Sequence, residues 1–251
     1  MIPYIDIPAL HLVGSLRVQP FGVLVALGLV TGYAVARREA RRRGLDEARI
    51  GDLVLWTVVG GFVLAHLVSA IFYFPDEVAR NPWELLKVWD SLSSYGGFAG
   101  GALGALIAIR RYRLPLWPTV DTLAAALIAG WFFGRLGCTV VHDHPGRLSD
   151  FFLAVNYPGG ARHDLGFDEW LFTIGLNVTV FLMLRRDPPP GSVLALLMIA
   201  YAPVRFGLDF LRTADRHYLG LTPGQYFSVA LLIGGLLVLR RVRSRRELQP
   251  K

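Results

Sequence analysis

Seven long runs of apolar residues, separated by short polar segments, dominate the pattern of the chain. The runs are continuous, which predicts helices, because a membrane strand would alternate apolar and polar residues over about 10 positions. Several runs are shorter than the roughly 20 residues that a helix needs to cross the hydrocarbon, so we expect their ends to extend into flanking polar residues. The runs lie at about 21–36, 52–74, 95–109, 120–141, 168–184, 192–211 and 222–239.

The composition indicates a membrane protein and excludes two other classes. Of the 251 residues, 53% are hydrophobic and 18% are charged, whereas about a quarter of the residues of a soluble domain are charged. The same apolar content excludes a disordered chain. The start of the chain also lacks the basic stretch ahead of an apolar core that marks a cleavable signal peptide. We therefore predict one all-α integral membrane domain over residues 1–251, with seven transmembrane helices.

The positive charges follow every second apolar run. The formal net charge is +7, and nearly all of the cations are arginines. Because they flank apolar runs, they indicate membrane topology rather than a nucleic-acid partner. Segments after the first, third, fifth and seventh runs hold 17 of the 26 cations. The positive-inside rule places these segments in the cytoplasm, so we predict an N-terminus outside and a C-terminus inside.

Arg135 lies inside the fourth apolar run, where a charged side chain costs about 2.5–3.5 kcal/mol on insertion scales. We expect such a residue to face a protein cavity or water. The alternative is an arginine that extends its guanidinium to the membrane surface. Gly134 and Gly137 flank Arg135 and favour the close approach of another helix or of a lipid headgroup.

A second charged group lies in the sixth run. Arg205 and Asp209 are four residues apart, and Asp209 and Arg212 are three apart, so each pair shares a helix face. One interpretation is an ion pair near the membrane surface. The other is that Asp209 directs Arg205 into a cavity, where Arg135 and Arg205 clamp a phosphate, because the guanidinium fork matches phosphate oxygens.

Five glycines begin the third run. Gly96 and Gly97, near a predicted helix N-terminus, would leave backbone N–H groups available to an anion. Gly97, Gly101 and Gly104 have the small-residue spacing typical of helix packing. For residues 100–104 we favour packing.

Metal binding has weak support in the sequence. Cys138 is the only cysteine, which excludes an intrachain disulfide and a metal site built from several cysteines. His142 and His144 flank Asp143, but two histidines in a loop are weak grounds for a metal. We therefore predict neither a metal nor another cofactor. We expect His66, in the second run, to pack against a polar neighbour.

These motifs resemble the prolipoprotein diacylglyceryl transferase family over most of the chain. Arg135 and Arg205 match the two arginines of the family, and Asp209 matches the acid four residues after the second. Tyr95 stands where the family has a histidine before Gly-Gly, and Cys138 stands where it has an asparagine. The segments that carry the resemblance are Asn81–Trp83 to Val88–Asp90, Ser94–Gly97, Gly134–Gly137 (family pattern Gly-Arg-Leu/Ile-Gly-Asn), Gly146–Arg147, Tyr201–Arg212 and Thr222–Gln225. Two smaller departures are Phe21, in place of a tyrosine, and Val141–Asp143, which keeps only the acid of Asn-Gly-Glu.

The resemblance implies a seven-span enzyme of the bacterial inner membrane that needs no cofactor. It would move a diacylglyceryl group from phosphatidylglycerol to the lipobox cysteine thiol of a prolipoprotein and release glycerol phosphate. It also implies catalytic roles for Tyr95, Arg135 and Arg205. The implied substrate-binding residues are Gly96, Gly97, Gly134, Asp143, Gly146, Asp209 and Arg212. Two alternatives stay open: a diverged paralogue that binds or transports phospholipid, and a related transferase with another acceptor.

Overall fold

The structure is a computed structural model that describes residues 1–11, 17–87, 91–213 and 217–247. The side chains of residues 10, 11, 94, 95, 246 and 247 lie outside this description. The predicted catalytic role of Tyr95 therefore falls on a side chain outside the described part of the chain.

Helices make up most of the described chain. They are α1 (Pro20–Arg42), α2 (Glu47–Tyr73), α3 (Pro75–Arg80), a 3₁₀ helix (Pro82–Leu86), α4 (Ser94–Arg111), α5 (Leu116–Val141), α6 (Leu165–Leu184), α7 (Ser192–Asp209) and α8 (Pro223–Glu247). As predicted, most of each apolar run lies in a helix, and the helices extend into flanking polar residues except for α7, which begins with its run and ends two residues before it. Among the described residues, six helices are long and apolar enough to cross a membrane: α1, α2, α5, α6, α7 and residues Pro223–Arg245 of α8. This finding confirms a membrane protein with several candidate spans, although α4, which contains the third predicted span, is not among the six.

Short strands, which the apolar pattern did not predict, lie before α1 and between α5 and α6. Their bounds are β1 (Ile2–Pro3), β2 (Leu10–His11), β3 (Arg17–Val18), β4 (Pro145–Leu148), β5 (Val155–Tyr157) and β6 (Gly160–Asp164). One sheet has the strand order β1-β5-β6-β4, with β1 parallel to β5 and the other pairs antiparallel. The strands β2 and β3 form a separate antiparallel pair. Strands of two to five residues are too short to show a period of alternation, which is why the sequence did not indicate them.

The chain forms two compact units. The first unit comprises Met1–Val35 and Val120–Lys251, and the second comprises Ala36–Thr119. The prediction of a single domain over residues 1–251 stays a prediction.

The core of the first unit lies between α5, α6 and α7. Its buried side chains are Ala124, Ala125, Ile128, Leu176, Val180, Val193 and Leu197. Asp121, fully buried on α5, accepts hydrogen bonds from Gly191 N at 2.9 Å and Leu194 N at 3.0 Å. These bonds satisfy backbone donors that the first turn of α7 would otherwise leave without partners. A buried carboxylate of α5 thus fixes where α7 begins.

The second unit is organised around the contact between α2 and α4. Asp46 caps α2 by accepting hydrogen bonds from Ala48 N and Arg49 N. A Cβ atom added at Gly100 would overlap Gly60 O, and one added at Gly104 would overlap Trp56 O. The absence of side chains therefore lets the two backbones touch, which confirms the predicted packing role of Gly100 and Gly104.

Candidate active site

Three helices of the first unit each contribute a charged side chain to one buried cluster. Glu169, on α6, is 1% exposed. Its Oε2 lies 2.6 Å from Nη2 of Arg135 on α5, and its Oε1 lies 3.0 Å from Nη1 of Arg205 on α7. A single carboxylate thus holds both predicted arginines, and each guanidinium is mostly shielded from solvent.

Asp209 completes this group, which we call the arginine–glutamate cluster (Arg135, Glu169, Arg205 and Asp209). Arg205 Nη2 lies 2.9 Å from Asp209 Oδ1, as the four-residue spacing predicts. The other oxygen, Oδ2, accepts a hydrogen bond from Thr222 Oγ1. Asp209 is buried, and a buried carboxylate needs such partners because desolvation disfavours its charge. The Thr222 hydroxyl and the Arg205 guanidinium together hold this carboxylate.

The start of α8 fixes Thr222 in turn. Gln225 N donates to Thr222 Oγ1 at 3.1 Å, and Thr222 N donates to Gln225 Oε1 at 3.0 Å. This reciprocal pair has the form of a capping box, in which side chains satisfy the free backbone donors of a helix N-terminus. The first turn of α8 therefore positions the hydroxyl that binds Asp209.

Aromatic rings line one side of the arginine–glutamate cluster. Tyr201 OH lies 3.5 Å from Glu169 Oε2, a long hydrogen bond. Trp131 meets the Tyr201 ring edge-on at a centroid distance of 4.6 Å, and the Arg135 guanidinium carbon lies 5.9 Å from the centre of the Trp131 ring. Apolar rings beside ion pairs lower the local dielectric constant, so the charges of the cluster interact more strongly than they would in water.

The glycines next to Arg135 differ in their surroundings. A Cβ atom at Gly137 would lie 2.9 Å from the Phe21 ring, so Gly137 permits close contact with α1. A Cβ atom at Gly134 would meet no atom of the described residues within 4 Å. The predicted helix contact is therefore found at Gly137, whereas the face at Gly134 is open.

Gly146 and Arg212 lie where β4 meets the segment after α7. Arg147 N donates to Leu211 O at 2.9 Å, and a Cβ atom at Gly146 would lie 3.0 Å from the same carbonyl oxygen. Arg212 N donates to Asp209 O at 3.3 Å. These contacts tie β4 to the end of α7, and substrate binding by Gly146 and Arg212 stays a prediction.

The loop after α5 is fixed by a network outside the helices. His142 Nδ1 lies 2.6 Å from Asp164 Oδ2, which also accepts from Tyr157 OH at 2.9 Å. The His142 ring stacks on Tyr4 at 4.5 Å. Burial, and then the Asp164 carboxylate, raise the pKa of the Tyr157 hydroxyl above its ordinary value, so the hydroxyl stays protonated and donates.

Asp143 and His144 follow in the same loop and pair with each other. His144 Nδ1 forms a hydrogen bond with Asp143 Oδ1. Hydrogen bonds, first to Asp143 and then to Cys138, raise the pKa of His144 to about 9. Arg135 Nη1 lies 3.9 Å from Cys138 Sγ, so the cysteine lies between this loop and the arginine–glutamate cluster.

The remaining predicted residues belong to the second unit. Gly97 N donates to Ser93 O at 2.9 Å, and Gly96 N lies 3.5 Å from Ser93 Oγ. Both glycines thus take part in the start of α4, and anion binding by their N–H groups stays a prediction. His66 Nε2 lies 2.9 Å from Glu84 O, which confirms the polar neighbour predicted for it.

Sequence reasoning missed Glu169 as a site residue, because it considered only the acid four residues after Arg205 as a partner for the arginines. A signal was present, since Asp168 and Glu169 stand at the very start of an apolar run that forms a candidate span. An acid at that position needs a cationic partner. The two arginines of the other runs were available to supply it.

Comparison with known proteins matches most of the chain to one protein family. A family model described as prolipoprotein diacylglyceryl transferase matches residues 8–241 of the chain. The chain is similar to proteins named phosphatidylglycerol–prolipoprotein diacylglyceryl transferase from three bacteria. It is 30% identical to the one from Chromohalobacter salexigens (98% of this chain and 96% of the relative are covered), 31% identical to the one from Rhizobium meliloti (96% and 94%) and 29% identical to the one from Pseudomonas aeruginosa (99% and 98%).

Proposed function

The chain belongs to the prolipoprotein diacylglyceryl transferase family, and from that premise we propose that it transfers a diacylglyceryl group from phosphatidylglycerol to a prolipoprotein. The acceptor is the lipobox cysteine thiol, and the leaving group is glycerol phosphate. The observation that carries the proposal is the arginine–glutamate cluster, in which Glu169 of α6 binds both Arg135 of α5 and Arg205 of α7.

The cluster suits a phosphate at the reacting end of a lipid. A guanidinium has five N–H donors in a planar fork, so an arginine bound to one or two carboxylates has further donors to offer. Phosphate oxygens accept such donors in pairs. Arg135 and Arg205 would bind the phosphate of the lipid and neutralise the charge that grows on it as the glyceryl carbon–oxygen bond breaks.

The same two cations favour the attacking form of the acceptor. A cysteine thiol with a pKa of about 8.5 is mostly protonated at neutral pH, and nearby guanidinium groups stabilise the thiolate. The thiolate attacks the glyceryl carbon, a carbon–sulfur bond forms, and the phosphate leaves with the electron pair of the broken carbon–oxygen bond. Glu169 and Asp209 hold the arginines in place for both substrates.

Other residues have proposed binding roles. Tyr95 donates a hydrogen bond to a lipid oxygen, a role that needs no large pKa shift for a phenol with a pKa near 10. Gly134 receives the headgroup, and its open face supports this role. We propose that Gly96, Gly97, Asp143, Gly146 and Arg212 also contact the substrates.

The proposed topology has seven spans in the bacterial inner membrane, with α4 as the third, the N-terminus outside and the C-terminus in the cytoplasm. The arginine-rich segments at the C-terminal ends of α1 and α4, after α6 and within α8 support it. A reporter fused after residue 113 or after residue 245 should be cytoplasmic, and one fused within residues 142–167 should lie outside. A cytoplasmic signal from residues 142–167 would contradict this topology.

The function is tested by a transfer assay with the full chain in phosphatidylglycerol vesicles and a lipobox peptide. We expect the peptide to gain a diacylglyceryl group. Arg135→Lys and Arg205→Lys keep the charge but lose the fork, so each should lower kcat/KM about 10- to 100-fold, equivalent to about 1.4–2.8 kcal/mol.

Arg37→Lys is the matched control, since Arg37 pairs with Glu47 in the second unit, and it should keep full activity. In a cell depleted of its own transferase, the wild type and Arg37→Lys should restore growth better than Arg135→Lys and Arg205→Lys. If the wild-type chain binds phosphatidylglycerol but transfers no diacylglyceryl group, the proposed transferase activity is wrong. The chain would then be a paralogue that binds lipid. Full activity of Arg135→Lys would show that the guanidinium fork of Arg135 is not needed to bind the phosphate.

A further inference from the structure

Cys138, Asp143 and His144 come together at the end of α5. Each offers one ligand atom, a sulfur, a carboxylate oxygen or a ring nitrogen, and these three atoms lie within 4.8 Å of one another. Cysteine, histidine and aspartate are the side chains that bind Zn²⁺ in proteins. We infer that these three residues form a binding site for a borderline-soft divalent metal ion of the Zn²⁺ type.

The backbone is shaped to bring the three side chains together. His142 has a φ of 51°, a left-handed conformation that is uncommon for a residue other than glycine. This residue reverses the chain after α5, so Asp143 and His144 return to Cys138. The pairing of His142 with Asp164 and its stacking on Tyr4 hold the reversal in place, which supplies the support from neighbouring residues that metal sites require.

Neighbouring elements also fix the ligands themselves. Leu165 N, at the start of α6, donates to His144 O at 3.0 Å. A Cβ atom at Gly166 would lie 3.0 Å from Cys138 Cβ, so α6 passes directly beside the thiol. A tetrahedral ion with the usual zinc bond lengths keeps its ligand atoms about 3.5 Å apart. The ligand atoms lie within 4.8 Å of one another, and His144 Nδ1 is hydrogen-bonded to Asp143 Oδ1, so the side chains must rotate to surround an ion.

Charge and access agree with a divalent ion. A thiolate, formed as the cysteine binds the metal, and a carboxylate together neutralise a charge of +2. The side chains of Asp143 and His144 are 40% and 30% exposed, which gives an ion a path from solvent. Cys138 is buried at the side of the arginine–glutamate cluster.

Three protein ligands leave a fourth tetrahedral position open, as in catalytic zinc sites. We assign this position to the acceptor thiol, an assignment that rests on the proposed transferase function. The thiol releases its proton to solvent water and binds as a thiolate, because a thiol that coordinates such an ion is deprotonated. The metal and Arg135 would then present the sulfur beside the phosphate clamp.

A Co²⁺ titration of the reduced, detergent-solubilised full chain tests the site. We expect one ion per chain and a thiolate-to-cobalt charge-transfer band. Cys138→Ser should abolish the band, and both Cys138→Ser and His144→Gln should weaken Co²⁺ binding at least tenfold. His163→Gln is the matched control, because His163 pairs with Asp168 outside the three ligands, and it should change neither readout. No band in the wild type would overturn the site, as would unchanged affinity in both ligand variants.

The open position is tested separately on the cobalt-loaded chain without phospholipid. A lipobox peptide should shift the charge-transfer band and release one proton, whereas the same peptide with serine in place of cysteine should do neither. If the charge-transfer band does not shift when the thiol peptide is added, the acceptor thiol does not bind the metal. The metal site itself would not be contradicted. A chain that binds Co²⁺ and thiol but transfers no lipid would contradict the proposed function alone.

Discussion

Helices meet through glycines in the contact between α2 and α4 and through charged side chains in the arginine–glutamate cluster. In the second unit, Gly60, Gly100 and Gly104 remove side chains so that two backbones touch. In the first unit, charged side chains on α5, α6 and α7 bind one another instead. The contact between α2 and α4 therefore depends on the absence of side-chain atoms between the two backbones. The arginine–glutamate cluster depends instead on every charge keeping its partner. Substitutions should separate these two dependences.

Removal of the central charge should have the largest effect. Glu169→Gln keeps the shape of the side chain but leaves Arg135 without its carboxylate and Arg205 with Asp209 alone. A broken buried ion pair costs about 3–5 kcal/mol, so the free energy of unfolding in detergent should fall by about that amount, and transfer activity should be lost. Asp168→Asn, at the neighbouring acid whose Oδ2 lies 3.4 Å from His163 Nδ1, should cost less, because this ion pair is longer and joins one partner only loosely. Equal losses for the two variants would show that the cluster does not hold the helices together.

Added bulk in the glycine contact should have the next largest effect. Gly104→Ala places a Cβ atom on Trp56 O, so α2 and α4 must separate, at a cost of about 3 kcal/mol. Gly101→Ala is the matched control, because its Cβ atom would lie 3.6 Å from the nearest atom, an ordinary contact distance. The thermal midpoint should fall for Gly104→Ala and stay unchanged for Gly101→Ala. The opposite ranking would contradict the packing described here.

Loss of one hydrogen bond in the cluster should cost less. Thr222→Val keeps the side-chain shape but leaves Asp209 Oδ2 without its hydroxyl donor, which should destabilise the fold by about 1–3 kcal/mol. The comparison is Thr119→Val in the second unit. Thr119 is equally buried, and its hydroxyl has no hydrogen-bond partner among the described residues, so this change should be neutral or stabilising. Chemical denaturation of the two variants measures the difference.

Gly134→Ala should have the smallest effect on the fold. Its Cβ atom would enter open space, and alanine is favoured over glycine within a helix by about 0.5–1 kcal/mol. The thermal midpoint should therefore stay constant or rise slightly. If Gly134 receives the lipid headgroup, KM for phosphatidylglycerol should rise severalfold at the same time. An unchanged KM would show that Gly134 does not contact the lipid headgroup.

The sequence by itself determined the helices and the main chemical elements of the site. Continuous apolar runs can be satisfied in a membrane only by helices, because the backbone has no water to bond, so the seven runs marked α1, α2 and α4 to α8. An arginine within such a run must have a protein or ligand partner, so Arg135 could be selected without any coordinates. The pair of Arg205 and Asp209 followed from the helical repeat, since residues four apart share a face.

Only the tertiary structure decided which distant residues complete these pairs. Glu169 lies 34 positions after Arg135 and 36 before Arg205, and no local periodicity links such separations. The left-handed turn at His142, which returns His144 to Cys138, depends on contacts with Tyr4 and Asp164 from other segments. Local sequence shows what a residue requires, such as a counter-charge or a close approach. Which side chain meets that requirement is settled by how the helices pack, because the partners come from separate parts of the chain.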